Sequence, residues 1–295
     1  MTESFVNWMQ SVQATIEKTL DELLPPENLI PVELHQAMRY AVLNGGKRIR
    51  PLLVFATGML FGAKPAVMAR AASAVEMIHA YSLIHDDMPC MDNDVLRRGK
   101  PTVHVRFGEA TALLAGDALQ AQAFIVLSEM DDNAGLAIER LRILSDAAGS
   151  MGMCGGQAID LDSVGKTLSI KQLEQMHRLK TGAILKASVM LGAFCAGDPA
   201  EEEKQALKLY AEAIGLAFQV VDDILDVTAD SSVLGKTAGK DSADHKPTYV
   251  SLLGLESSEN LAEQLRCQAH DALAHFGKEA DYLRELADLI VKRKK

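Results

Sequence analysis

The sequence predicts an all-α protein built as one large helical domain. Three observations carry that expectation: apolar residues recur at helical intervals almost throughout, alternating strand-like segments are scarce, and the breaks are short Gly- and Pro-based turns of the helix-to-helix kind. The first helix reads from Phe5 through Trp8, Met9, Val12, Ile16 and Leu20 to Leu23, before the Pro25-Pro26 break. Leu34, Met38, Ala41 and Val42 mark a second, Pro51 to Leu60 a third, and Val67 to about Met88 a long fourth. Further helices are expected over Gly108 to Met130, Ala137 to Met153, Ile170 to Phe194, Glu201 to Thr228, and Ser258 to the C-terminus. No Ser- or Gly-rich linker, low-complexity run or internal repeat divides the chain, so residues 1–295 read as a single domain.

A chain of 295 residues with 48% hydrophobic content supplies a substantial core. The net charge of -10 gives the surface no general attraction for nucleic acid or anionic lipid, so an anionic substrate needs bridging metal ions or clustered Lys and Arg. The start, MTESFVNWMQ, has neither a secretory nor a transit character, and a cytoplasmic location is expected. The longest apolar stretches, Ala183 to Gly197 and Ala213 to Val221, are short or interrupted by Lys186, so no membrane insertion is expected. Cys90, Cys154, Cys195 and Cys267 match no metal finger or disulfide frame and read as reduced thiols. The terminal Lys292-Arg293-Lys294-Lys295 reads as a solvated helix end that complements the dipole.

Chemistry concentrates in two aspartate clusters set into apolar helices, Asp86-Asp87-Met88-Pro89-Cys90-Met91-Asp92 and Asp222-Asp223-Ile224-Leu225-Asp226. Ionised carboxylates on apolar faces demand partners. Asp222 and Asp226 form an i,i+4 pair whose like charges repel unless a cation lies between them, and an all-oxygen set suits Mg²⁺. In the first cluster a straight helix would point Asp86 and Asp92 about 120° apart. A break near Pro89 would let Asp92 turn back toward Asp86. His79 lies seven residues before Asp86 and shares its stripe, offset by roughly 20°.

Two basic segments flank this cluster in sequence: Gly45-Gly46-Lys47-Arg48-Ile49-Arg50-Pro51 and Arg97-Arg98-Gly99-Lys100-Pro101. In the first, the glycines allow a turn and Pro51 suits the start of a helix, whose free amides favour an anion. The second supplies guanidinium forks for phosphate oxygens. Lys180-Thr181 and Gln219 are polar groups within apolar helices; they read either as cavity-facing residues or as ordinary snorkelling and buried-amide positions. Together these residues describe a helical cavity with metal-binding carboxylates and basic groups at its rim and apolar walls below. Such a site suits a polyanionic head on an apolar tail.

From about Leu34 to Leu253 the chain resembles the trans-prenyl diphosphate synthase family. The resemblance rests on GGKRIRP at 45–51, HAYSLIHDDMPCMDND at 79–94, LRRGKPTVH at 96–104, GEATALLAGDAL at 108–119, GGQAIDL at 155–161, HRLKTGAI at 177–184, FQVVDDILDVT at 218–228 and LGKTAGKD at 234–241. It implies the helical isoprenoid synthase fold with a central apolar cavity, a homodimer, and three Mg²⁺ ions. The implied reaction ionises an allylic diphosphate, dimethylallyl or geranyl, and adds isopentenyl diphosphate through its double bond. Proton loss follows, with the departing diphosphate as acceptor. By the same resemblance Asp86, Asp92, Asp222, Asp223 and Asp226 hold the metals, with Asp87 in support. Arg97, Lys180, Lys236 and Lys246 grip the allylic diphosphate; Lys47, Arg50, His79 and Arg98 bind isopentenyl diphosphate; Thr181 and Gln219 face the developing cation. Val95 departs from relatives that continue the acidic run with an Asp there, outside the core metal pattern.

In this family the positions four and five before the first aspartate motif wall the tail pocket, and here they are Ser82 and Tyr81. The bulk of Tyr81 is expected to stop growth at C15 rather than C20; the bland alternative makes it a helix-packing aromatic. A terpene cyclase would lack the Lys47, Arg50 and His79 set, and a non-catalytic subunit would be expected to lose metal aspartates.

Overall fold

Helix boundaries follow the apolar periodicity and its punctuation. In the computed structural model, which describes residues 2–130, 133–166, 168–228 and 247–293, α1 (Glu3–Leu23) begins behind the Thr2 cap and stops before Pro25-Pro26. It is followed by α2 (Val32–Val42), α3 (Ile49–Leu60) and α4 (Pro65–Asp86). A two-residue hairpin, β1 (Leu96–Arg97) with β2 (Lys100–Pro101), precedes α5 (Val103–Phe107) and α6 (Glu109–Ser128). Then come α7 (Ala134–Ala148), α8 (Met153–Asp162), α9 (Ile170–His177), a π turn over Arg178–Gly182, α10 (Ala183–Phe194) and α11 (Glu201–Thr228). The chain closes with α12 (Tyr249–Leu253), α13 (Leu255–Ala272), a 3-10 turn at Lys278–Ala280, and α14 (Asp281–Lys292).

Three sequence boundaries need correction. The segment expected as one helix to Met153 ends at Ala148, and a separate helix, α8, starts at Met153 after the Gly149 to Gly152 turn. Ile170 to Phe194 is helical throughout but widens into a π turn over Arg178–Gly182. The C-terminal segment splits at Phe276-Gly277, where the Gly277 carbonyl is held by Arg284.

The chain groups into two compact units, Thr2–Arg142 with Leu191–Asp198, and Ile143–Met190 with Pro199–Lys295. In the first, α3 is buried continuously from Pro51 to Gly58 and α4 around most of its circumference, with Leu52, Leu53, Met77 and Ile78 fully covered. Close backbone approach matters here: a Cβ at Gly192 would meet the Val54 carbonyl oxygen at 2.5 Å. In the second unit, Tyr210 of α11 is fully buried and its hydroxyl donates to the Leu283 carbonyl at 2.7 Å, tying α11 to α14. Burial raises that phenol's pKa far above the usual value.

Among the described residues α6 has the length and apolar composition of a membrane span, a stretch that the two candidates weighed from the sequence did not include. Its Ala112, Ala115, Leu119, Ala123, Val126 and Leu127 pack inside the first unit, while Leu113, Leu114 and Ile125 are exposed.

Candidate active site

The first aspartate cluster begins where α4 ends. The Asp87 and Met88 amides still donate to the Leu83 and His85 carbonyls, and Pro89 then diverts the chain into a turn. That turn brings Asp92 back: its amide donates to the Asp86 carbonyl at 2.8 Å, and the Asn93 amide to Met88 at 3.1 Å. The reversal read from Pro89 is therefore present, with Asn93 taking a positive φ of 50°. Asp86 and Asp92 are half-buried.

Asp87 differs from both. It is 2% exposed, and the Arg97 guanidinium holds its two oxygens through Nε at 3.0 and 2.8 Å and Nη2 at 2.6 Å. The hairpin that carries Arg97 makes this fork possible. Burial leaves the Asp87 carboxyl above its ordinary pKa even with Arg97 attached, and the pairing raises that of Arg97. The Asp87–Arg97 pair is a contact the sequence did not indicate, and the Arg97 side chain keeps a third of its surface exposed beside it.

The two basic segments meet beside α4. Gly45 and Gly46 have φ of +70° and +141°, and the Arg98 guanidinium lies where a Cβ on Gly46 would sit, donating to the Gly45 carbonyl. Lys47 is exposed and Arg50 half-buried. Arg48 proves structural: buried, left-handed with φ 54°, it pairs with Glu76 at 2.6 Å and Glu17 at 2.7 Å and donates to the Val42 carbonyl. His79 is held well below the usual imidazole range, first by burial and then by the charges of Arg50, Arg98, Arg97 and Arg48. It is accordingly neutral at pH 7. Asp87, Arg97 and Arg98 line one cleft with Tyr40, Asn44 and Thr102.

Tyr81 is buried on α4, edge-on to His85 at 5.7 Å, and His85 in turn lies against Gly116. The Ser82 hydroxyl donates to its own helix at the His79 carbonyl.

The second cluster stays helical. Asp222 is half-buried, whereas Asp223 and Asp226 are 5% and 6% exposed. Asp223 accepts from the Tyr249 amide at 2.7 Å, an N-terminal amide of α12. Asp222 accepts from Arg293 at 2.7 Å; that guanidinium also donates to the Phe218 carbonyl and stacks 3.8 Å from the Phe218 ring. The solvated reading of the terminal basic run is therefore wrong for Arg293, whose side chain is 9% exposed, because an aromatic face and two acceptors await it.

On the π turn, Lys180 donates to Asp160 at 2.6 Å and the Thr181 hydroxyl donates to the Gln219 side-chain oxygen. The turn thus brings Thr181 to Gln219 from a distant segment and Lys180 to Asp160. Buried His177 stacks on Tyr249 at 5.7 Å, and burial lowers its pKa to about 4. Lys236 and Lys246 lie outside the described residues.

The donor chemistry fits magnesium. Asp226 Oδ1 is buried without a hydrogen-bond partner among the described residues, as a carboxylate awaiting a cation would be. No three His, Cys, Asp or Glu side chains among the described residues converge on a point.

Carboxylate clusters and basic loops on helices are the kinds of group that a metal-dependent diphosphate enzyme uses. The polyprenyl synthetase family model matches residues 31–284, and the chain belongs to that family. Farnesyl diphosphate synthase of Escherichia coli is 50% identical over 278 residues, covering 92% of each chain. Geranylgeranyl pyrophosphate synthase 4 of Arabidopsis thaliana is 46% identical over 275 residues, 92% of this chain and 73% of the other. The Helicobacter pylori geranyltransferase complexed with magnesium and isoprenyl diphosphate superposes with a TM-score of 0.86 at 34% identity, covering 99% of this chain and 97% of that one.

Proposed function

We propose that this polyprenyl synthetase is a farnesyl diphosphate synthase that condenses isopentenyl diphosphate with dimethylallyl and then geranyl diphosphate. The observation that carries the reading is the repeated aspartate arrangement, in which one carboxylate of each Asp-Asp pair is buried while its neighbour is half-buried. Asp86, Asp92, Asp222 and Asp226 are the proposed ligands of three Mg²⁺ ions, with Asp87 and Asp223 anchoring the two clusters. Mg²⁺ bound there would neutralise charge on the departing diphosphate.

The side chains supply the rest. Lys47, Arg50 and Arg98 bind the isopentenyl diphosphate head, and neutral His79 offers it one N–H donor. Lys180, with Lys236 and Lys246, grips the allylic diphosphate, and Arg97 contributes positive charge from its seat on Asp87. Thr181 and Gln219, already hydrogen-bonded to each other, present their oxygens to the developing allylic cation. Apolar walls keep water from that cation, and the released diphosphate accepts the proton lost after addition. Tyr81, buried five residues before Asp86, with Ser82 beside it, stops the tail at C15.

Residues 1–295 act as one domain in this reading, cytoplasmic and homodimeric. Leu113, Leu114 and Ile125 on α6 are exposed apolar residues that a second copy would cover. Incubation of purified protein with Mg²⁺, labelled isopentenyl diphosphate and either allylic diphosphate, followed by chromatographic sizing of dephosphorylated products, tests the function. A dominant C15 alcohol is expected. A C20 product would replace the farnesyl assignment with geranylgeranyl and remove the role given to Tyr81, and no condensation by folded, Mg²⁺-supplied protein would overturn the reading.

A further inference from the structure

The structure places the motif GGQAIDL at 155–161 against the π turn. Gly156 is buried, and a Cβ there would meet the Lys180 backbone nitrogen at 2.0 Å and its Cα at 2.5 Å. Only glycine allows α8 to lie this close. Asp160 follows Gly156 by four residues, so both occupy one face of α8. With the backbone seated at Gly156, Asp160 reaches the same residue's side chain, and Lys180 Nζ donates to Asp160 Oδ2 at 2.6 Å. Asp160 is 8% exposed, whereas the Lys180 side chain keeps a quarter of its surface open.

We propose that Asp160 is the positioning residue for Lys180, fixing its ammonium for the allylic diphosphate while Gly156 fixes its backbone. This rests on the role given to Lys180 above. Lysine carries a compact charge on a flexible four-carbon stem, so an untethered ammonium samples many positions. A buried carboxylate that takes one of its three N–H donors removes that freedom and leaves two donors for phosphate oxygens. The π turn serves the same end, because its extra residue turns Lys180 and Thr181 onto the faces where Asp160 and Gln219 meet them. Asp160 touches no substrate in this scheme and acts through Lys180.

The test is a double-mutant cycle read in Michaelis constants. Asp160→Asn keeps the shape and removes the charge; KM for the allylic diphosphate is expected to rise about tenfold, with KM for isopentenyl diphosphate within about twofold of the parent. Lys180→Gln is expected to raise the allylic KM at least as much, and the double variant to match Lys180→Gln alone. Asp160→Glu, which restores the carboxylate one methylene further out, is expected to recover part of the loss, and it carries the test should Asp160→Asn not fold. A normal allylic KM in Asp160→Asn beside a raised one in Lys180→Gln would overturn the proposal, as would full additivity of the two effects. A normal allylic KM in Lys180→Gln would instead overturn the role of Lys180 on which the proposal rests.

Discussion

In the first aspartate cluster the chain leaves its helix at Asp86 and returns Asp92 through a turn, whereas in the second Asp222, Asp223 and Asp226 all stay on α11. The first therefore takes its geometry from Pro89 and backbone hydrogen bonds, the second from helical periodicity alone. Both arrive at one pattern of burial: the leading carboxylate, Asp86 or Asp222, is half-buried, and the following one, Asp87 or Asp223, is buried. The partners differ. Asp87 is met by a guanidinium and Asp223 by a backbone amide, so the first anchor is a charge pair and the second a cap-like contact. Paired acidic residues thus need not share a task, since burying one aspartate with a partner fixes the backbone that presents the other.

Several substitutions would break or sharpen this comparison. The largest effect is expected from Asp226→Ala, which removes the orphaned carboxylate oxygen; kcat should fall by about a thousandfold, with thermal unfolding showing the fold intact. Arg97→Ala leaves Asp87 buried without its guanidinium and should destabilise the protein by about 2 kcal/mol in urea unfolding, the low side for a buried pair because Arg97 is a third exposed. Acid should act on the second unit through His177. Its pKa of about 4 in the folded state lies below the unfolded value of about 6.5, so its contribution is complete above pH 6.5 and is lost as the pH falls from there to 4. Replacing His177 by Phe should flatten the stability profile in that window. The smallest change is expected for Arg293→Gln, which gives up the stack on Phe218 and the charge on half-open Asp222, at about 1 kcal/mol by the same unfolding measurement.

Much of this architecture was legible in the sequence, because apolar period and Gly-Pro punctuation are local properties. The N-terminal helix, α11 and the Pro89 reversal of Asp92 all follow from them. The π turn did not, since apolar spacing across Leu179 to Leu185 is compatible with either winding, and only the packing of Gly156 and Gly215 against the turn distinguishes them. Partners distant in sequence were hidden as well. Nothing near Asp87 in the chain distinguishes it from Asp86 until the hairpin returns Arg97, and Arg293 looked like one of four terminal cations until Phe218 and Asp222 were seen beside it. The one available signal was GGQAIDL, whose Gly-Asp spacing of four matches a helix face but names no partner.

The division within each Asp-Asp pair is tested most directly by comparing four variants, Asp86→Asn, Asp87→Asn, Asp222→Asn and Asp223→Asn, for half-saturating Mg²⁺ in the condensation assay and for urea stability. Asp86→Asn and Asp222→Asn are expected to raise the Mg²⁺ requirement about tenfold or more with little change in stability, and Asp87→Asn and Asp223→Asn to lower stability chiefly. A raised Mg²⁺ requirement at unchanged stability in Asp87→Asn or Asp223→Asn would contradict the account.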